Sequence, residues 1–161
     1  MNMLADYQKW AVASCVGVTA PSVRDFHCIG FMEECSEISE AVLLAPREVS
    51  SEIGDALWYL GNLAHSIGVT LPAATQCEHD DNLTIYMHIC AGQIAGVIKR
   101  AGRGEGVNKV KFNTEVSKWL GIISKILAQH DSSLEYVLQY NVDKIKSRLA
   151  RKKILGSGDH R

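Results

Sequence analysis

Apolar residues recur at three- and four-residue spacing along almost the whole chain, and no sustained alternating run of β-branched residues interrupts them. A half-buried strand needs a period of two and an amphipathic helix one of 3.6, so this pattern makes the chain all-α. The spacing predicts helices over 3–15, 22–44, 47–67, 82–101, 112–130 and 132–151, with a short helical piece starting at Pro72. Ser22 and Ser132 suit helix amino termini, Pro46 closes the second helix and Gly68 follows the third. Residues 101–109, "AGRGEGVNK", hold three glycines and read as a flexible loop. The tail "GSGDHR" has no helical pattern and is expected to be mobile or to fold onto a ligand.

The chain also repeats itself. Residues 52–76, "EIGDALWYLGNLAHSIGVTLPAATQ", align without a gap on residues 115–139, "EVSKWLGIISKILAQHDSSLEYVLQ", so that Leu57 falls on Leu120, Leu71 on Leu134 and Gln76 on Gln139. The preceding helices match as well, "CSEISEAV" from Cys35 over "AGQIAGVI" from Ala91. The second copy has Cys90 for Glu34, Gln93 for Glu37 and Lys118 for Asp55, and keeps Glu52 as Glu115. The expectation is a four-helix core built from a duplicated helix pair, with one further helix at each end. All of residues 1–161 would form one domain: an acid-bearing pair over about 22–71, a degenerate repeat over about 82–134, and a last helix with its tail over about 135–161.

Composition narrows the setting. Apolar residues make up 47% of 161, enough for a core without staples. The five cysteines are odd in number and contain no CxxC pair, which argues for a reducing compartment and against a disulfide frame or a zinc site. No apolar run approaches the roughly 18 residues of a membrane span, and the amino terminus does not read as a secretory signal. A cytoplasmic protein is expected, with no membrane partner. The net charge of −1 hides an acidic first half and a basic second half, which suits an anionic ligand held through a cation or two halves that attract each other.

The acids of the first half are arranged in pairs. Residues three apart on a helix are neighbours, so Glu34 sits beside Glu37 and Glu52 beside Asp55. Like charges so placed destabilise a helix unless something neutralises them. On the second helix the apolar stripe runs through Phe31, Cys35, Ile38 and Val42, with Glu33, Glu37 and Glu40 opposite and Glu34 on the flank near the small Gly30 and Ala41. On the third, Glu52, Asp55, Tyr59 and Asn62 edge a stripe of Ile53, Ala56, Leu57, Leu60, Leu63 and Ile67. An antiparallel hairpin across Pro46 would bring the two acid pairs together as a site for Mg²⁺ or Mn²⁺, hard cations that prefer oxygen. Glu40 and Glu48 are expected to face water.

The stretch "EECSE" at 33–37, followed after fourteen residues by "EIGD" at 52–55 and then "ALWYL", resembles the MazG-like all-α nucleoside triphosphate pyrophosphohydrolases, with their ExxE, spacer, ExxD pattern. "YQKWA" from Tyr7, "NVDKIKSR" from Asn141 and the tail extend the likeness over most of the chain. The insertion between Leu71 and Leu134 departs from a compact member and is similar to the fused pseudo-dimer of the dimeric-dUTPase-like branch. The resemblance implies cleavage between the α and β phosphates to a monophosphate and pyrophosphate, with two or three Mg²⁺ or Mn²⁺ ions. Glu34, Glu37, Glu52 and Asp55 would hold the ions, and Glu33 would contact a further ion or the attacking water. Asn141, Lys144 and Arg148, spaced along one side of the last helix, would grip phosphates, with Lys152 and Lys153 following on the tail. Trp10, Tyr59 and Asn62 are candidates for the base, aromatics by stacking and Asn62 by its amide. The small duplicated format and tail resemble phage members of the MazZ type, which points to a purine deoxynucleotide, dGTP first, and to the host cytoplasm. Apolar faces left over on fused halves commonly pair again, so a dimer or tetramer is expected.

Three other readings compete. A phosphoribosyl-ATP pyrophosphohydrolase shares the helical acids and the reaction type. A carboxylate-bridged di-iron bundle would need Glu-x-x-His pairs, but Glu40 follows Glu37 and Asp55 follows Glu52 at that spacing. A nucleic-acid-binding module could use Lys144, Lys146, Arg148, Arg151, Lys152 and Lys153 and would bind DNA without metal in a salt-dependent way, but a nucleic-acid partner is not the expectation.

Overall fold

A computed structural model describes residues 3–20 and 22–151, and these are all-helical. Six α-helices follow in order: α1 (Met3–Ser14), α2 (Val23–Leu44), α3 (Val49–Ser66), α4 (Leu83–Arg100), α5 (Lys109–Gln129) and α6 (Leu134–Ala150). The expected stripes are buried except at Val42, which is half-buried: Phe31, Cys35 and Ile38 of α2 and Ile53, Ala56, Leu57, Leu60 and Leu63 of α3 are fully out of water and Ile67 nearly so, and Met87, Ala91 and Ile94 of α4 and Phe112, Val116, Trp119, Leu120 and Ile123 of α5 are likewise fully buried. Removing that apolar surface from water is what drives the bundle together.

α2 and α3 form the most extensive helix pair and α4 with α5 the next, so the four-helix core is two hairpins side by side. α2 meets α4 across the middle, where Ser39 Oγ lies 2.9 Å from His88 Nε2. The Phe31 ring of α2 also meets Trp119 of α5 edge-on at 5.2 Å. α1 and α6 both lie along α3. Gln8 ties α1 to the end of α3, accepting from the Leu71 amide and donating to the Val69 carbonyl, each at 2.8 Å.

The repeat holds in the backbone at the helix ends, although the starts differ, α4 beginning four residues late and α5 three residues early. α2 ends at Leu44 and α4 at Arg100, which are aligned positions, and so are the ends of α3 at Ser66 and α5 at Gln129. Even the reversals match, since Gly68 and its counterpart Asp131 both have left-handed backbone, φ 67° and 52°. There the likeness stops. Leu134 opens α6, while the aligned Leu71 opens a stretch without helix up to the start of α4. The helical piece expected from Pro72 is therefore absent, because this segment is bound sideways to α5. The Thr75 amide donates to the Ser117 carbonyl at 3.0 Å, Ser117 Oγ donates to the Ala73 carbonyl at 2.8 Å, and the bare face of Gly121 admits the Thr75 carbonyl.

The ends are set by local chemistry. Ser22 caps α2, accepting from the Asp25 amide at 3.2 Å. At α6 the cap is Ser133, which accepts from Tyr136, rather than Ser132, which instead reaches Ser50. Pro46 lies just past the end of α2 at the start of a short turn. The glycine-rich loop opens as one wide helical turn, Ala101–Glu105, continuing α4, and α5 then starts earlier than expected because Asn108 caps it through Lys111.

Candidate metal centre

α2 presents Glu34 and Glu37 one turn apart, and α3 presents Glu52 and Asp55 in the same way. Packing the two helices brings carboxylate oxygens of Glu34, Glu37 and Glu52 within 4.8 Å of one another. Glu37 is exposed and Glu52 half-buried, but Glu34 keeps only 9% of its surface. Its Oε2 is buried and finds no protein partner. Burial, and then the charges of Asp55, Glu37 and Glu52, push its carboxyl up to about 9, with Lys144 pulling the other way. All four paired acids of the sequence therefore act on one point.

Asp55 is fixed from α6. Asn141 Nδ2 donates to its Oδ1 at 2.8 Å, and Lys144 Nζ donates to its Oδ2 at 2.7 Å. Asn141 is itself fully buried, accepting at Oδ1 from the Tyr7 hydroxyl at 2.8 Å. Gly54, one residue before Asp55, gives Asn141 its room, since a Cβ there would come within 3.0 Å of the Asn141 side chain. Lys144 also donates to the buried Ser51 hydroxyl at 2.7 Å. A chain of polar groups from α1 through α6 thus sets one carboxylate, and Asn141 acts in it as the orienting group.

Beside the acids opens a cavity of about 350 Å³. Glu34, Asp55 and Arg148 stand in its wall together with Phe26, Trp58 and Tyr59, and residues 16–20 between α1 and α2 close the far side. The aromatics brace one another: Tyr59 lies 5.1 Å from Trp58 and 6.0 Å from Phe26, and His27 packs edge-on to Trp58. Trp58 Nε1 donates to Ser14 Oγ at 2.8 Å. Tyr59 can lie flat on α2 only because Gly30 is bare there, where any Cβ would run into its ring. Burial of His27 pulls its imidazole down to about 4, so it stays neutral; its Nε2 lies 3.6 Å from Cys15 Sγ.

The candidate residues divide accordingly. Glu34, Glu37, Glu52, Asp55, Lys144, Arg148 and Tyr59 meet around the cavity and the acid cluster. Glu33 faces water outside the three-acid group. Trp10 packs on Tyr7 beside a different cavity, between α1 and α6. Asn62 is buried and donates to the Trp58 and Ala11 carbonyls, which joins α1 to α3. Lys152 and Lys153 lie outside the described residues. Glu40 and Glu48 are exposed. Within the basic run, Lys144 turns inward to Asp55 while Lys146 and Arg151 are exposed, so the described cations do not share one face. Sequence reading missed Phe26 and residues 16–20. The signal for Phe26 was its spacing of four from Gly30 and eight from Glu34, which strings the three along one side of α2.

No family model matches this chain, and no curated protein or solved structure matches it. Among the described residues no helix is long and apolar enough to cross a membrane.

Proposed function

We propose that this chain is a divalent-cation-dependent nucleoside triphosphate pyrophosphohydrolase, cleaving a deoxynucleoside triphosphate, dGTP first, to the monophosphate and pyrophosphate. The observation that carries it is the buried, unpartnered oxygen of Glu34 amid three more carboxylates, a cluster that a cation would satisfy. The donor set is all oxygen, which fits Mg²⁺ or Mn²⁺ and does not favour softer metals. Glu34, Glu37, Glu52 and Asp55 would hold the ions, which supply charge neutralisation for phosphate oxygens and for the departing pyrophosphate.

The rest of the chemistry belongs to the protein. Arg148, in the wall beside Asp55, is placed to take phosphate oxygens in a two-point grip. Lys144 holds Asp55 in place and keeps a positive charge next to the acids. Phe26, Trp58 and Tyr59 offer flat faces on which a base can stack, and residues 16–20 would shield it from water. Exposed Ile29, Leu43 and Leu44 on α2, each at least 70% accessible, supply apolar surface for a homo-oligomer. The setting would be the cytoplasm, the host's for a phage protein.

A panel of the eight common NTPs and dNTPs with Mg²⁺ or Mn²⁺ tests this, with products separated into monophosphate plus pyrophosphate or diphosphate plus phosphate. Pyrophosphate release from dGTP is expected. Glu37→Gln and Asp55→Asn should each lower kcat by at least about a hundredfold with the helical spectrum unchanged. Glu115→Gln, in the other helix pair, should stay near wild type. Full activity in both acid variants would overturn the assignment.

A further inference from the structure

The second helix pair has a cavity of its own, of about 710 Å³, lined by α4, α5 and the non-helical segment before α4. Its wall is built rather than accidental. Thr75 and Ser117 pin that segment to α5, and His79 stacks flat on Tyr86, ring centres 3.5 Å apart and planes 3° from parallel. Cys90, Ile89 and Ile122 give the interior an apolar surface. One polar side chain of its wall stands out: Asn113, whose Oδ1 is buried and has no partner among the described residues. A buried acceptor left open is costly, and a ligand N–H would satisfy it.

Charge decides what kind of ligand that is. Glu78 and Glu115 line the cavity against a single ammonium, Lys118, which is already 3.2 Å from Glu115, and no arginine is present in the wall. A phosphate group would meet net negative charge there. The volume falls in the range of small-molecule sites, and the stacked His79 and Tyr86 form a flat aromatic edge.

We propose that this cavity binds an uncharged planar heterocycle with N–H donors, a nucleobase or its nucleoside, through Asn113 Oδ1 and the Tyr86 side of the cleft. The inference does not depend on the pyrophosphohydrolase reading.

Equilibrium dialysis in EDTA against labelled deoxyguanosine, deoxyadenosine, deoxycytidine and thymidine tests it on the full chain. At least one nucleoside should bind one per chain, and its 5′-monophosphate at least tenfold more weakly. Thr114→Trp, at the exposed rim, should abolish binding, and Asn113→Leu should weaken it about tenfold; unfolding curves confirm that each variant is folded. Thr19→Trp, which fills the cavity beside the acids, should leave it unchanged. Amide shifts at Thr114 and Ser117 on adding nucleoside give a reading that needs no variant. No binding at millimolar nucleoside, tighter binding of the monophosphate, or loss with Thr19→Trp in place of Thr114→Trp would each overturn the proposal.

Discussion

Glu34 and His27 are both buried on α2, and burial pushes each toward its neutral form, with neighbouring acids adding to the effect at Glu34. Glu34 is surrounded by acids, and a cation would reverse its state. In ion-free buffer Glu34→Gln should melt within a few degrees of wild type, because it replaces a group already pushed toward its neutral form. Millimolar Mn²⁺ should raise the melting temperature of wild type, by an amount equivalent to about 2.7 kcal/mol at a hundred times the dissociation constant, and leave the variant unmoved. An equal rise in both would place the ion elsewhere. His27 is packed among the rings of Phe26, Trp58 and Tyr59, with Cys15 Sγ at its Nε2. Its folded value of about 4 lies below the ordinary 6.5, so the unfolded chain takes up its proton first as pH falls. The stability it lends is complete above 6.5 and is lost as pH drops toward 4, with about 2 kcal/mol gone by pH 5. Denaturant titrations should show this slope in wild type and a flatter one in His27→Phe.

At the level of elements, the segment after α3 approaches α5 most closely at a bare position, Gly121. Gly121→Ala would put a Cβ against the Thr75 carbonyl, and backbone cannot swing aside as a flexible side chain can. The expected result is a loss of about 1–3 kcal/mol together with fast hydrogen exchange at the Thr75 amide, read by denaturation and by mass spectrometry. This segment also marks where sequence reading ran out. The helices and their acid pairs were legible because a 3.6 period makes both the stripe and the neighbours of Glu34 and Asp55 countable. Leu71 and Gln76 match Leu134 and Gln139 in the aligned copy, but the residues between them bond to Ser117 and no periodicity records a partner forty residues away. Asn141 misled for a similar reason: a polar residue one turn before Lys144 looks like part of a phosphate grip, and only packing against Tyr7 shows it buried. Adjacent serines at 132 and 133 were indistinguishable until the left-handed Asp131 set the phase of α6.

Across the whole molecule the two hairpins share a backbone plan and differ in what balances their polar faces. In the first, four carboxylates gather around Glu34, with Lys144 reaching Asp55 from α6. In the second, Glu115 has Lys118 on its own helix, in the position where the first hairpin has Asp55. Hydrogen exchange followed with and without chelator should therefore change in α2 and α3 and leave α4 and α5 as they were; equal responses in both would mean that the acid cluster does not hold ions. Lys118 gives this arrangement a practical meaning. It is a counter-ion that cannot diffuse away, so the charge of Glu115 is balanced from within its own helix and asks nothing of the ions in the medium.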